Sequence, residues 1–135
     1  MSVWSRIQSF FRRKRRADPI VCVTDDGFTL LDAKTQTAIR AVRWTDVTRI
    51  QTYKLDLFTT DCICLLFESR SDQPPVQVSE EWKGFTDLFG PLSAAFPSIP
   101  QGWYGQVMLP PFEAKRTVLY EADDIHTGVS GRGDS

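Results

Sequence analysis

Hydrophobic and polar positions are most clearly ordered between Trp44 and Phe67, WTDVTRIQTYKLDLFTTDCICLLF. Tyr53, Leu55 and Leu57 take turns with Thr52, Lys54 and Asp56, the period of two that predicts a strand with one buried and one wet face. After the polar break Thr59-Thr60-Asp61 the run CICLLF is apolar at successive positions, which predicts a strand covered on both sides. Upstream, residues 19–24 and 28–31 form short β runs around Asp25-Asp26-Gly27, whose Asp-Gly pair is a hairpin signal. A turn at Asp32-Ala33-Lys34 leads to a third strand over residues 37–44 of mixed pattern. Trp44, Val47 and Ile50 then recur every three residues, which predicts a bend with all three turned inward.

Downstream the period changes. Residues 69–75, SRSDQPP, carry turn chemistry and lead into a short strand over 76–79. Phe85, Leu88, Phe89, Leu92 and Phe96 then follow helical spacing and predict the main helix. Pro91 conflicts with that helix unless the helix proper begins close to it. Pro97-Ser98-Ile99-Pro100 ends the pattern, and the aromatic, proline-containing stretch after it predicts an irregular segment packed back through Trp103, Tyr104, Met108 and Phe112. Residues 116–121 predict an edge strand, and residues 122–135 are small and polar, which predicts a disordered tail. The expected architecture is a single α+β domain over residues 18–121. It is an antiparallel sheet or partly open barrel of about six to seven strands with one main C-terminal helix.

The first 17 residues stand apart. Val3, Trp4, Ile7, Phe10 and Phe11 fall within a stripe of about 120° at helical spacing, and Arg6, Arg12, Arg13, Lys14, Arg15 and Arg16 supply six positive charges with no acid. The chain has a net charge of −1, so the remainder carries −7. A basic arm on an acidic body argues against a folded nucleic-acid-binding face and directs any affinity for polyanions to the arm. A helix this short forms when it docks. Aromatic residues beside arginines suit an anionic membrane interface, while a protein groove or the body itself is the alternative. Trp4, Arg6, Ile7, Phe10, Phe11, Arg12, Arg13, Lys14, Arg15 and Arg16 are therefore the candidate membrane- or partner-binding residues. No long apolar run follows the charges, so neither a secretory nor a twin-arginine signal is expected, nor a transmembrane helix.

Candidate chemistry adds little to this picture. Cys22, Cys62 and Cys64 lie in apolar strand-like contexts, and an odd count without a secretory signal predicts reduced thiols in a cytoplasmic protein, which the arm would make peripheral at the inner face of the membrane. A metal site with His126 lacks the turn of a zinc knuckle, so the cysteines are expected to be packing groups and no metal or cofactor is expected. Asp56, Asp61, Glu68, Glu80, Glu81 and Ser79 are available to an enzyme. There is no nucleophile elbow, phosphate-binding glycine loop or histidine pair to organise them, so no catalysis and no small-molecule substrate are expected. The Arg132-Gly133-Asp134 triplet sits in the polar tail and is expected to be incidental.

Short antiparallel strands, the Trp44, Val47 and Ile50 pattern leading into residues 53–57, and one amphipathic helix after the last long strand resemble the pleckstrin-homology-like superfamily. The resemblance is closest to its bacterial and GRAM-type members and covers roughly residues 19–96. The segments YKLDLFTTDCICLLF, VSEEWKGF and PPFEAKRTVLYE also resemble a family of small uncharacterised bacterial proteins. The superfamily resemblance implies an adaptor fold. Its members often bind phosphoinositides through basic residues between the first two strands, whereas here that loop is the acidic Asp25-Asp26-Gly27. The expected function is a non-enzymatic, membrane-proximal or protein-binding module. The alternative is an immunity-type interaction protein that holds a basic partner on its acidic body.

Overall fold

A computed structural model describes residues 17–56, 61–70, 72–108 and 116–122. Their arrangement is α+β, with two antiparallel sheets and short helices, and the sheets do not close into a barrel. The first sheet has the order β1-β2-β3, formed by Ile20–Val23, Gly27–Leu31 and Ala38–Arg43. The second contains β4 (Val47–Asp56), β5 (Asp61–Ser69), β6 (Val76–Ser79) and β7 (Thr117–Glu121), in the order β6-β5-β4-β7.

Local chemistry accounts for the turns. At the first hairpin the Thr24 N–H donates to the Gly27 carbonyl at 2.8 Å. A side chain on Gly27 would collide with the Val42 carbonyl at 1.8 Å, so only glycine lets β2 and β3 approach there. At the second hairpin the Asp32 carboxylate accepts from the N–H groups of Lys34 and Thr35 at 2.8 and 3.0 Å, the asparagine-like turn its short acceptor allows. Trp44–Asp46 is a 3-10 turn that carries the chain from the first sheet to the second. Val47 and Ile50 beyond it are fully buried as the spacing predicts, and Trp44 is partly buried against them.

The two sheets meet through aromatic side chains. Phe28 of β2 stands 4.9 Å from Phe67 of β5 between ring centroids, and Trp44 contacts both. Phe96 continues the row, edge-on to Trp44 at 5.9 Å and 4.5 Å from Tyr120 of β7. Ile63, Leu65 and Phe67 face this core from β5 while Cys62 and Cys64 face the other way, and all five are buried. The expectation of a strand covered on both sides holds for β5.

It also applies to β4, where a wet face was expected. Thr52 and Lys54 lie on the main-core side, at 0% and 5% exposed, while Tyr53 packs with the cysteines on the opposite face. β4 is interior to its sheet, and a helix packs against it. The two polar groups on its core side have partners: the Thr52 hydroxyl donates to the Cys64 carbonyl at 3.0 Å, and the Lys54 ammonium lies 3.8 Å from the Asp61 carboxylate.

The main helix is shorter than its spacing predicts. Phe85–Leu88 is a 3-10 turn, and the α-helix α1 is Phe89–Ala95. Pro91 is thus the third residue of α1, where an N–H has no partner within the helix, and the proline conflict disappears. The segment expected to be irregular contains a second helix, α2, over Trp103–Met108. Phe85, Phe89, Trp103 and Tyr104 form a contiguous aromatic stack across these elements. Ala122, assigned by composition to the tail, is buried and donates its N–H to the Thr48 carbonyl at 2.9 Å. Among the described residues no helix is long and apolar enough to cross a membrane.

Candidate functional site

The ten arm residues from Trp4 to Arg16 lie outside the described residues, as do residues 123–135 with His126 and the Arg-Gly-Asp triplet. The body offers two places where chemistry-bearing groups converge.

The first is the polar cluster on the outer face of the second sheet. Register sets Cys64 between Tyr53 of β4 and Ser79 of β6, and the Cys62 sulfur lies 2.9 Å from the Ser79 hydroxyl. The neighbouring Cys64 thiol lowers the Cys62 thiol to about 7, with Ser79 assisting and burial opposing. The influence of Cys62, followed by burial, pushes the Cys64 thiol well above the ordinary thiol range. Tyr53 hydrogen-bonds to the Gln77 side chain, and the Arg116 guanidinium sits 5.0 Å over its ring. Burial pushes the Tyr53 phenol up to about 12, with nearby Cys64 adding to the effect and Arg116 opposing it.

The carboxylates considered for catalysis are distributed rather than assembled. Glu80 accepts from the Ile63 N–H at 2.7 Å and from the Tyr104 hydroxyl at 2.5 Å, which pins α2 to β5. That bond is the main reason the Tyr104 phenol is raised to about 12. Ser79 is used by the Glu81 N–H at 3.1 Å, and Glu68 accepts from Gln51 at 2.9 Å. Asp61 lies beside Lys54. Cys22, expected to be a packing group, is instead exposed on the outer face of the first sheet, away from the other two thiols. Among the described residues no three histidine, cysteine or acidic side chains gather as metal ligands would. Glu80, through Ile63 and Tyr104, ties α2 to β5, and the Cys62–Ser79 contact ties β5 to β6.

The second place was not visible in the sequence. β3 is an edge strand with only Val42 buried, and Ile39 is 56% exposed. Beside it is a groove of about 460 Å³, lined by Ala38, Arg40 and Arg43 of β3 together with Asp46, Ser69 and Gln73. One guanidinium nitrogen of Arg40 donates to the Pro74 carbonyl at 2.7 Å and fixes the groove wall. The only trace of this in the sequence is the failure of AIRAVR to alternate cleanly, a sign of an incompletely covered strand.

No family model, curated protein or solved structure matches the chain.

Proposed function

We propose that this protein is a non-enzymatic protein-binding module held at an anionic membrane surface by its basic amphipathic arm, on a pleckstrin-homology-like scaffold. The observation that carries this reading is the division of charge: six basic residues and an apolar stripe in the first 17 residues against a remainder of −7. Such an arm is drawn to anionic lipid while the body is repelled by it, so only the arm is held at the surface. The body supports the reading in a second way. Its buried thiols and the Glu80 carboxylate are engaged in tying elements together, whereas the β3 groove is open at the surface.

The decisive experiment is co-sedimentation with vesicles of increasing anionic lipid content, comparing the full chain with one beginning at Asp18. The full chain is expected to sediment in proportion to anionic content and the shortened chain to stay in solution. Equal sedimentation of the two would refute the arm's role. The same acidity supports a second reading, in which the body holds a basic protein as an immunity-type partner. Retention of a basic partner by the shortened chain, with no response to lipid, would favour it.

A further inference from the structure

We infer that the groove beside β3 binds an extended acidic peptide segment, which adds itself to the first sheet as a strand next to β3. This inference rests on reading the protein as a protein-binding module and names the chemistry of its partner.

Backbone register comes first. The Trp44 N–H donates to the Asp26 carbonyl at 2.8 Å, so Asp26 and Trp44 face each other as a hydrogen-bonded pair. Antiparallel pairs alternate. With Gly27 opposite Arg43, Phe28 opposite Val42 and Thr29 opposite Ala41, the N–H of Arg43 and both backbone groups of Ala41 therefore point away from β2. Among the described residues none of these three groups has a backbone partner. They border the groove, and an incoming strand would satisfy them.

The opposite edge of this sheet differs. The outer side of β1 is engaged at Val21, whose N–H donates to the Lys83 carbonyl at 2.8 Å. A register shift opposite Leu30 and Leu31 bulges the strand at Ile39, so the regular edge open to strand addition is confined to residues 41–43.

Charge selects the occupant. Arg43 is exposed, borders the groove and makes no ion pair with any described residue. A carboxylate on the incoming strand would meet the Arg43 guanidinium, which suits two-point recognition of a carboxylate.

The test uses fluorescence anisotropy of the full chain with two labelled peptides, one of alternating glutamate and valine and one of alternating lysine and valine. The acidic peptide is expected to bind about tenfold more tightly or better, a difference of about 1.4 kcal/mol. Arg43→Glu should reverse the preference. Ala41→Pro should abolish binding of both peptides while sparing the β2 ladder, because the N–H it removes points outward. Circular dichroism would confirm that each variant is folded, and Arg43→Glu keeps the test decisive should Ala41→Pro fail to fold. Equal affinity for the two peptides, unchanged preference in Arg43→Glu, or a concentration-dependent dimer lost in Ala41→Pro would each overturn the inference. If the acidic peptide fails to bind while the full chain still sediments with anionic vesicles through its arm, the groove assignment falls and the arm's role stands.

Discussion

At the scale of single residues, the fold is decided by how each polar group on the central strands is answered. Thr52 and Lys54 are tolerated on the core side of β4 because each has an acceptor within reach. Cys62 and Cys64 are buried, whereas Cys22 is exposed. Cys64→Ala, at a site with no exposure, should cost about 1 kcal/mol in urea denaturation, whereas Cys22→Ala should change stability by less than ~0.5 kcal/mol. Equal effects would contradict their opposite burial. Tyr53 and Tyr104 carry a pH signature. Both phenols are raised from 10.0 to about 12 in the folded chain, so the folded state holds these protons more tightly than the unfolded one. Their contribution is fully present below about pH 10 and is lost as pH rises toward 12. Denaturation midpoints should therefore fall over that interval, and the fall should be shallower in Tyr53→Phe.

At the scale of elements, two backbone positions and one side chain govern how the helical layer docks. Gly84 has a φ of 92°, and a side chain there would meet the Val21 carbonyl at 2.0 Å, beside the Val21 to Lys83 hydrogen bond that ties β1 to this layer. Gly84→Ala should destabilise by more than ~1 kcal/mol and loosen β1, visible as faster amide exchange at Val21. Pro91→Ala should be nearly silent, within about 1 kcal/mol, because the first turn of α1 requires no N–H at that position. Leu92, 1% exposed, faces the core, so Leu92→Ala should cost about 2–5 kcal/mol in the same assay. A large effect of Pro91→Ala would show that helical structure extends back through the 3-10 turn.

At the scale of the whole molecule, the proposed binding of the arm to an anionic surface should depend on salt. Attraction between the arm's six basic residues and an anionic bilayer is screened over about 8 Å at physiological ionic strength, while burial of Trp4, Ile7, Phe10 and Phe11 is not. Sedimentation of the full chain should fall as salt rises and level off at an apolar remainder. Trp4→Ala should lower that remainder and leave the salt-dependent part in place. Loss of thermal stability on removing residues 1–17 would instead mean that the arm completes the core of the body.

The sequence by itself determined the elements whose signal is local. An Asp-Gly pair, a period of two and a run apolar at every position place a hairpin, a strand and a doubly covered strand, because turn geometry and side-chain alternation depend only on near neighbours. It also located the proline conflict in the helix and named its resolution. Tertiary structure alone decided that both faces of β4 are buried, since coverage depends on what packs on each face rather than on the polarity of Thr52 or Lys54. The same holds for Cys22, left exposed because nothing among the described residues packs on it, and for Ala122, buried by a bond to Thr48 across the chain. The β3 groove belongs to this second class. Its walls come from residues about thirty positions apart, and an unpaired strand edge has no sequence signature until the neighbours of the strand are known.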